Sequence, residues 1–302
     1  MKIAITNVHL DLGAGRRGTD MGPSAIHVAG LVPKLRAVGH DVTDVFPIDV
    51  QSYEQQDTVG DINARFLETI AHTCSLLADR VEKECADGHV PLVLGGDHAQ
   101  AIGTISGLAR HHQARNERIG VLWVDAHTDM NTPDTSPTGN IHGMPLAALL
   151  GHGPSELTSL AGGPPALRPE DVAIIGARDV DAGEVGLVKE LGVRVYSMSE
   201  LDRRGTAVCM QEAVAQVSTQ TAGVHLSFDL DGVDPLHAPG VGTPVPGGLT
   251  VRESHLVCEM VAQTGRLLGM EMVELNPTLD LRNKTGELAV WLILSAFGKT
   301  IL

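Results

Sequence analysis

Aromatic residues are scarce in this 302-residue chain, where two tryptophans, two tyrosines and four phenylalanines make up 3% of the sequence. A core must therefore rest on Val, Leu, Ile, Ala and Met. The hydrophobic share of 43% supplies enough of these to bury a large core, which excludes a disordered chain. Cysteine is also sparse. Cys74, Cys85, Cys209 and Cys258 stand far apart with no CxxC pair, each in a segment that reads as helix. They are expected to be buried small hydrophobes, and a reducing cytoplasm fits them. Basic charge is in deficit, with 22 Lys plus Arg against 37 Asp plus Glu and a formal charge of −15. That balance argues against nucleic acid or an anionic membrane as the main partner, since both need a basic face, though a local basic patch is not excluded. Long apolar runs are missing too. Leu288 to Phe297 falls far below the ~20 residues of a membrane helix. The start, Lys2 to Thr6 followed by Asn7 and His9, is too short for a secretory leader, so a cytoplasmic protein is expected.

What is present is an alternation of short apolar runs and helical patterns. Strands are expected at Lys2–Thr6, Asp41–Pro47, Val90–Leu94, Ile119–Val124, Val172–Ile175, Val193–Tyr196, Gly223–Phe228 and Leu267–Met272. Helices are expected from Gly22 to Val38, Asp61 to Ala86, Ser199 to Val217, Thr250 to Thr264 and Gly286 to Phe297. The second of these carries Ile62, Phe66, Ile70, Cys74, Leu77, Val81 and Cys85 at spacings of three and four, one apolar stripe that ends at Gly88. Runs such as Leu92-Val93-Leu94 and Val121-Leu122-Trp123-Val124 have no polar face. Strands buried on both sides look like this, so the expectation is a parallel sheet of seven or eight strands with helices on both faces. The alternation continues past the Gly/Pro-rich stretch Gly151–Pro169, which favours one α/β domain over residues 1–302.

Acids and imidazoles collect where three of these runs stop. Val90–Leu94 leads into Gly95-Gly96-Asp97-His98, Ile119–Val124 into Asp125-Ala126-His127-Thr128-Asp129, and Gly223–Phe228 into Asp229-Leu230-Asp231-Gly232-Val233-Asp234-Pro235. Ligands of open parallel sheets bind beyond the carboxyl ends of the strands. In extended backbone alternate residues share a face, so Asp125, His127 and Asp129 are expected to point together, and likewise Asp229 and Asp231. Alone, a DxD is consistent with a turn or cap, and a GGDH with a tight strand-to-helix turn. Together they bring two imidazoles and four carboxylates to one edge, and such a set cannot be gathered bare. Two divalent cations would balance the four carboxylates. Oxygen and imidazole donors without thiolate suit Mn²⁺ better than structural Zn²⁺, and two ions sharing carboxylates would hold and deprotonate a bridging water. The inference is a paired-metal hydrolase.

These motifs resemble the ureohydrolase family of arginases and agmatinases, and the likeness runs from Arg16-Arg17-Gly18 and Met21-Gly22-Pro23 to Gly298-Lys299-Thr300. It implies an arginase-like three-layer sandwich around an eight-stranded parallel sheet, a binuclear manganese centre, and hydrolysis of a guanidinium group to urea and an amine. By that likeness His98, Asp125, His127, Asp129, Asp229 and Asp231 are the metal ligands, with at least one aspartate bridging. Thr138-Gly139-Asn140-Ile141-His142-Gly143 is similar to the arginase loop that takes the amino acid's α-carboxylate. This implies contacts from Asn131, Ser136 and Thr138, with Asn140 in the same loop. Arg178-Asp179-Val180-Asp181 resembles the segment whose acid, Asp181, faces the α-amino group. Glu274 stands where the family orients the guanidinium, and Gly242-Thr243-Pro244, which brings in Thr243, and Gly247-Gly248 extend the match. Thr138 replaces a more usual Ser with the hydroxyl kept, and Ala99 replaces a common Ser.

A planar forked guanidinium matches a carboxylate such as Glu274. Asp129 would carry a proton to the leaving nitrogen, and His142 would shuttle protons to solvent or else stabilise its loop. The implied activity is manganese-dependent hydrolysis of L-arginine to L-ornithine and urea in a homo-oligomer, a trimer or hexamer. The alternatives are an agmatinase or 4-guanidinobutyrase and, further off, a silent metal-binding regulator. His111, His112, His152, His225, His237 and His255 are assigned no chemistry, and Leu288–Phe297 is read as core or subunit contact.

Overall fold

The computed structural model describes residues 1–300, so residues 301 and 302 of the expected domain lie outside the described part. Eight strands form one sheet: β1 Lys2–Val8, β2 Asp41–Ile48, β3 Val90–Leu94, β4 Gly120–Val124, β5 Val172–Ile175, β6 Arg194–Tyr196, β7 Val224–Asp229 and β8 Leu267–Val273. Their order is β2-β1-β3-β8-β7-β4-β5-β6, and every pairing is parallel. The helices are α1 Gly22–Val28, α2 Leu31–Ala37, α3 Leu67–Ala86, α4 Ala101–Gln113, α5 Pro145–Leu149, α6 Ser155–Thr158, α7 Ala182–Leu191, α8 Met198–Arg204, α9 Thr206–Ser218, α10 Val251–Gln263 and α11 Lys284–Ala296.

Strand alternation divides the core into two layers. Leu92, Leu94, Leu122, Val124, Leu226, Phe228, Met270 and Met272 pack on one side with α1, α2, α8, α9, α10 and α11. Val93, Val121, Trp123, Val172 and Ile174 pack on the other with α3, α4 and α5. Both faces are thus covered, as the unbroken apolar runs require. The three-layer α/β expectation holds, and the four cysteines are buried and free.

Three expected helices differ from what forms. The Gly22–Val38 helix is broken at Gly30, whose φ of 86° leaves the helical region, and Ser199–Val217 is broken at Gly205, with φ 84°. Glycine populates such conformations without a Cβ penalty, so a single apolar pattern covers two short helices. The stripe from Asp61 begins as helix only at Leu67, and Ile62 is exposed. Residues 61–66 instead brace another loop: Arg65 N–H donates to the Gly139 carbonyl at 2.9 Å. Leu288 to Phe297 is core except for Trp291, which is 48% exposed.

Adjacent strands β3, β8, β7 and β4 are the middle of the sheet, although their sequence positions span most of the chain. Their carboxyl ends form the floor of a cleft of about 640 Å³.

Candidate active site

After β3 the chain passes through Gly95-Gly96, and here glycine is needed for close approach. A Cβ on Gly96 would lie 1.7 Å from the Leu10 carbonyl oxygen, and one on Gly95 2.5 Å from the Gln100 amide. Asp97 then caps a single 3-10 turn, accepting from Ala99 N–H at 3.0 Å and Gly13 N–H at 2.8 Å. Asp97 is therefore a brace, and the turn it caps carries His98 into the site.

At the ends of β4 and β7 the structure corrects the expected alternation. β4 stops at Val124, and Asp129 has a left-handed φ of 53°; Asp229 ends β7, and Asp231 lies in a 3-10 turn. Bends, not extended backbone, bring the side chains together. Asp125 Oδ1 accepts from His127 N–H at 2.7 Å, Asp229 Oδ1 from Asp231 N–H at 2.7 Å, and Asp231 Oδ1 from Ala126 N–H at 3.1 Å. A left-handed non-glycine residue costs of order 1 kcal/mol or more, and such strain clusters at functional sites. Glu274, after β8, shares it with φ 64°.

Five of the six acids and imidazoles gather in two overlapping sets, and the sixth, Asp129, stands against His98. Ligand atoms of His98, Asp125 and Asp229 lie within 4.8 Å of one another, as do those of Asp125, His127 and Asp231. His98 Nδ1 stands 3.2 Å from Asp125 Oδ2, 3.1 Å from Asp129 Oδ2 and 3.2 Å from Asp229 Oδ2. His127 Nδ1 stands 3.2 Å from both Asp125 Oδ1 and Asp231 Oδ2. Asp125 thus turns one oxygen to each set. His98 Nδ1 and Asp129 Oδ2 are buried and make no hydrogen bond despite these short separations. Lone pairs that approach without hydrogen-bond alignment converge on a common point, which is the geometry of metal ligands. With Nδ1 so used, His98 Nε2–H donates to Ser227 Oγ at 2.8 Å, and Trp123 stacks on the imidazole at 4.2 Å while its Nε1–H donates to Asp125 Oδ2 at 3.0 Å.

Electrostatics give the same picture. Burial pushes the Asp129 carboxyl up to about 7, with the Asp125 charge adding to it against the pull of His98 and His127. Asp229 rises well above the carboxylate range through burial and the charges of Asp231 and Asp125. Burial alone would lower both imidazoles, but the surrounding carboxylates outweigh it and raise His98 and His127 above the usual range. Those same imidazoles hold Asp125 well below its ordinary value against the opposing effect of burial. A cluster that recruits protons in this way is one short of positive charge.

His98, His127, Asp129, Asp229 and Asp231 open into the cleft, and so do Glu274, His142, Asn131, Ser136, Thr138, Asn140, Asp181 and Thr243. Glu274 Oε1 accepts from His98 N–H at 2.9 Å and meets His142 Nδ1 at 3.1 Å. Its Oε2 is buried without a partner. Glu274 raises the His142 pKa, and against the lowering effect of burial this imidazole reaches about 9. On the rim, Ser136 Oγ accepts from Gly139 N–H at 3.0 Å and Thr138 Oγ1 from Asn140 N–H at 3.2 Å. Gly139 has φ 70° and would place a Cβ 1.9 Å from the Ile62 carbonyl oxygen. Asn131 Nδ2 donates to Asp181 Oδ2 at 2.9 Å, and Thr243 Oγ1 to Asp231 Oδ2 at 2.8 Å.

The model of the Arginase family matches residues 1–298. The chain belongs to the arginase family. It is 49% identical over 300 residues to the arginase of Bacillus caldovelox, covering 99% of both chains. A structure of that arginase, also 49% identical, superposes with a TM-score of 0.95 over 99% of each chain. The Entamoeba histolytica arginase, solved in complex with L-ornithine, is 32% identical and superposes with a TM-score of 0.90 over 99% of each chain.

Some contributors were missed in the sequence. Glu184 is buried in the cleft wall and accepts from Thr128 Oγ1 at 2.7 Å, Met130 N–H at 2.9 Å and Asp181 N–H at 2.8 Å. Its signal was Asp181-x-x-Glu184 ahead of a helical pattern, a capping box that forms in the structure. Ser227 sits in the strand that precedes Asp229 and carried no signal of its own. None of the histidines left without chemistry lines the cleft, although His225 is buried against Glu271 at 3.4 Å.

Proposed function

We propose that this arginase-family hydrolase converts L-arginine to L-ornithine and urea with two Mn²⁺ per subunit. The observation that carries the reading is the pair of overlapping ligand sets that share Asp125 beneath one cleft. His98, Asp125, Asp129 and Asp229 would hold one ion, and His127, Asp231 and the second oxygen of Asp125 the other. The donor set fits: it is carboxylate and imidazole with no thiolate, and buried His98 Nδ1 and Asp129 Oδ2 lack any other partner. Bound manganese supplies Lewis acidity that makes water a nucleophile at neutral pH.

The chain's own residues do the rest. Glu274 Oε2, buried and unpartnered, accepts N–H groups of the substrate guanidinium, while Oε1 is pinned by His98 N–H and His142. Desolvation makes that charge-assisted contact strong and directional. Asp129, through the carboxylate oxygen that does not ligate, takes the proton released by the attacking water and returns it to the leaving nitrogen. His142, partly open to the cleft mouth and protonated at neutral pH, donates to the departing amine and is recharged from solvent. The Ser136, Thr138, Asn140 and Asn131 groups bind the α-carboxylate, and Asp181 the α-amino group. The L-ornithine in the Entamoeba histolytica relative supports an amino-acid product at such a rim.

The chain is proposed to act as one catalytic domain, in the cytoplasm, as a homo-oligomeric trimer or hexamer. Among the described residues no helix is long and apolar enough to cross a membrane, and Trp291 interrupts the otherwise buried run Leu288–Phe297 with an exposed indole that suits subunit contact.

Urea release by the Mn²⁺-loaded protein with L-arginine, agmatine and 4-guanidinobutyrate side by side tests the reading. Strong preference for L-arginine supports it. Preference for an analogue lacking the carboxylate or amino group would keep the metal chemistry and overturn the rim assignments. No urea from any of the three would favour a silent metal-binding protein.

A further inference from the structure

Arg178 lies behind the cleft wall and does not line it. Its hydrogen bonds run entirely to backbone carbonyls of three separate segments. Nη2 donates to Asp231 at 2.6 Å and to Val245 at 2.7 Å, Nε to Val245 at 3.1 Å, and Nη1 to Gly176 and Gly232, each at 3.2 Å. One guanidinium thus ties the end of β5, the turn that carries Asp231, and the segment after Thr243. The fold makes room for it at Gly248, where a Cβ would lie 2.6 Å from Nη2.

We propose that Arg178 is a positioning residue for the Asp125–His127–Asp231 half of the site, and this rests on the two-metal reading above. The physical reason is the convergence of carbonyl dipoles. Without a cation between them, the oxygens of Asp231, Gly232 and Val245 would face one another across a partly buried gap, and the segments would separate. Separation would draw Thr243 Oγ1 away from Asp231 Oδ2, leaving Ala126 N–H as the one remaining hydrogen bond to the Asp231 carboxylate among the described residues and loosening its approach to His127. The His98–Asp229 half is held by other contacts: Ser227, Trp123 and the Gly96–Leu10 crossing. A lysine cannot substitute, because a single ammonium with three donors does not span a planar fan of carbonyls.

The test is calorimetric titration of the metal-free parent, Arg178→Lys, Arg178→Met and Thr243→Val with Mn²⁺ alone, with melting temperatures and the KM-against-kcat split for L-arginine measured alongside. The parent is expected to take two equivalents. In both Arg178 variants one equivalent should weaken by about 10- to 100-fold, as for other groups that orient metal ligands, while the other keeps its affinity. Thr243→Val should weaken the same equivalent, and Arg178→Lys combined with Thr243→Val should cost less than the two separate losses added together. At saturating metal kcat is expected to fall more than KM rises, because the displaced groups lie on the floor of the cleft and not on its rim. Two unchanged equivalents in Arg178→Lys would overturn the proposal, as would equal weakening of both with a matching loss of melting temperature. If Arg178→Met does not fold, the lysine and Thr243 variants decide. A parent that takes fewer than two equivalents would bring down the two-metal reading and this inference with it, whereas two equivalents unaffected by the variants would bring down this inference alone.

Discussion

The floor of the cleft and its rim are built from different material. On the floor, His98, Asp125, Asp129, Asp229 and Asp231 are buried beyond strand ends in the middle of the sheet, and the carboxylates of Asp125, Asp229 and Asp231 are fastened by backbone N–H groups. On the rim, Thr138 and Asp181 are exposed, and the loop that holds Ser136 and Asn140 is fixed by hydrogen bonds within itself and by backbone contacts to residues 13, 65 and 131. Buried groups of like charge have only one another and a cation to answer to, so a change there alters the chemistry. Exposed groups, on the proposed reading, exchange a substrate contact for a water contact, so a change there alters binding.

The most severe way to break this comparison is at the floor. Asp129→Asn should keep the fold and lose about 10²- to 10⁴-fold in kcat, because the proposed proton carrier and ligand carboxylate becomes a neutral amide. Circular dichroism and urea release at saturating L-arginine check it; near-normal kcat would sink the assignment. Removing the metal is expected to act as broadly. Exhaustive chelation should abolish urea release, and Mn²⁺ at alkaline pH should restore it. Acid should have the same effect, because His98 and His127 hold protons above the usual imidazole range and ligation requires those protons to leave. Activity that survives chelation would contradict the floor's role.

The rim should respond more mildly. Asp181→Ala removes one charged contact worth roughly 1.5–3 kcal/mol, so KM for L-arginine should rise about 10- to 100-fold with kcat nearly kept. Steady-state kinetics decide it, and a kcat collapse with unchanged KM would move Asp181 into the chemistry.

The smallest effect lies at the boundary between floor and rim. In metal-free protein the His142 pKa is raised to about 9 from 6.5. The stability that this pairing contributes is fully present below about 6.5 and is lost as pH rises through about 9. The difference in melting temperature between parent and His142→Asn should therefore be wider near pH 6.5 than near pH 10. A difference that stays constant with pH would mean that the pairing with Glu274 is not what raises the imidazole.

How far the sequence could be read follows the same division. Strand positions were legible because burial on both faces leaves an unbroken apolar signature, as at Val121–Val124. The metal-ligand candidates were legible because acids and imidazoles directly after such runs have few other uses. Helix breaks at Gly30 and Gly205 were not, since an apolar period passes over one glycine without interruption. Residues 61–66 read as helix because Ile62 and Phe66 keep the stripe's spacing, but tertiary contact with Gly139 claims that backbone instead. Arg178 was read as part of a substrate segment, and only the fold shows its guanidinium gathered among carbonyls.

By itself the sequence determined the class of the sheet, the presence of a polar edge and the kinds of donor on it, because these depend on residue type and on spacing of a few residues. The tertiary structure decided which donors meet. The strand order sets β8 beside β3, so that Glu274 reaches the backbone of His98 across 176 positions of chain. Left-handed turns at Asp129 and Glu274 then aim two carboxylates that extended backbone would have pointed elsewhere. Local pattern cannot encode either outcome, because both are stabilised by packing and hydrogen bonds between segments far apart in sequence.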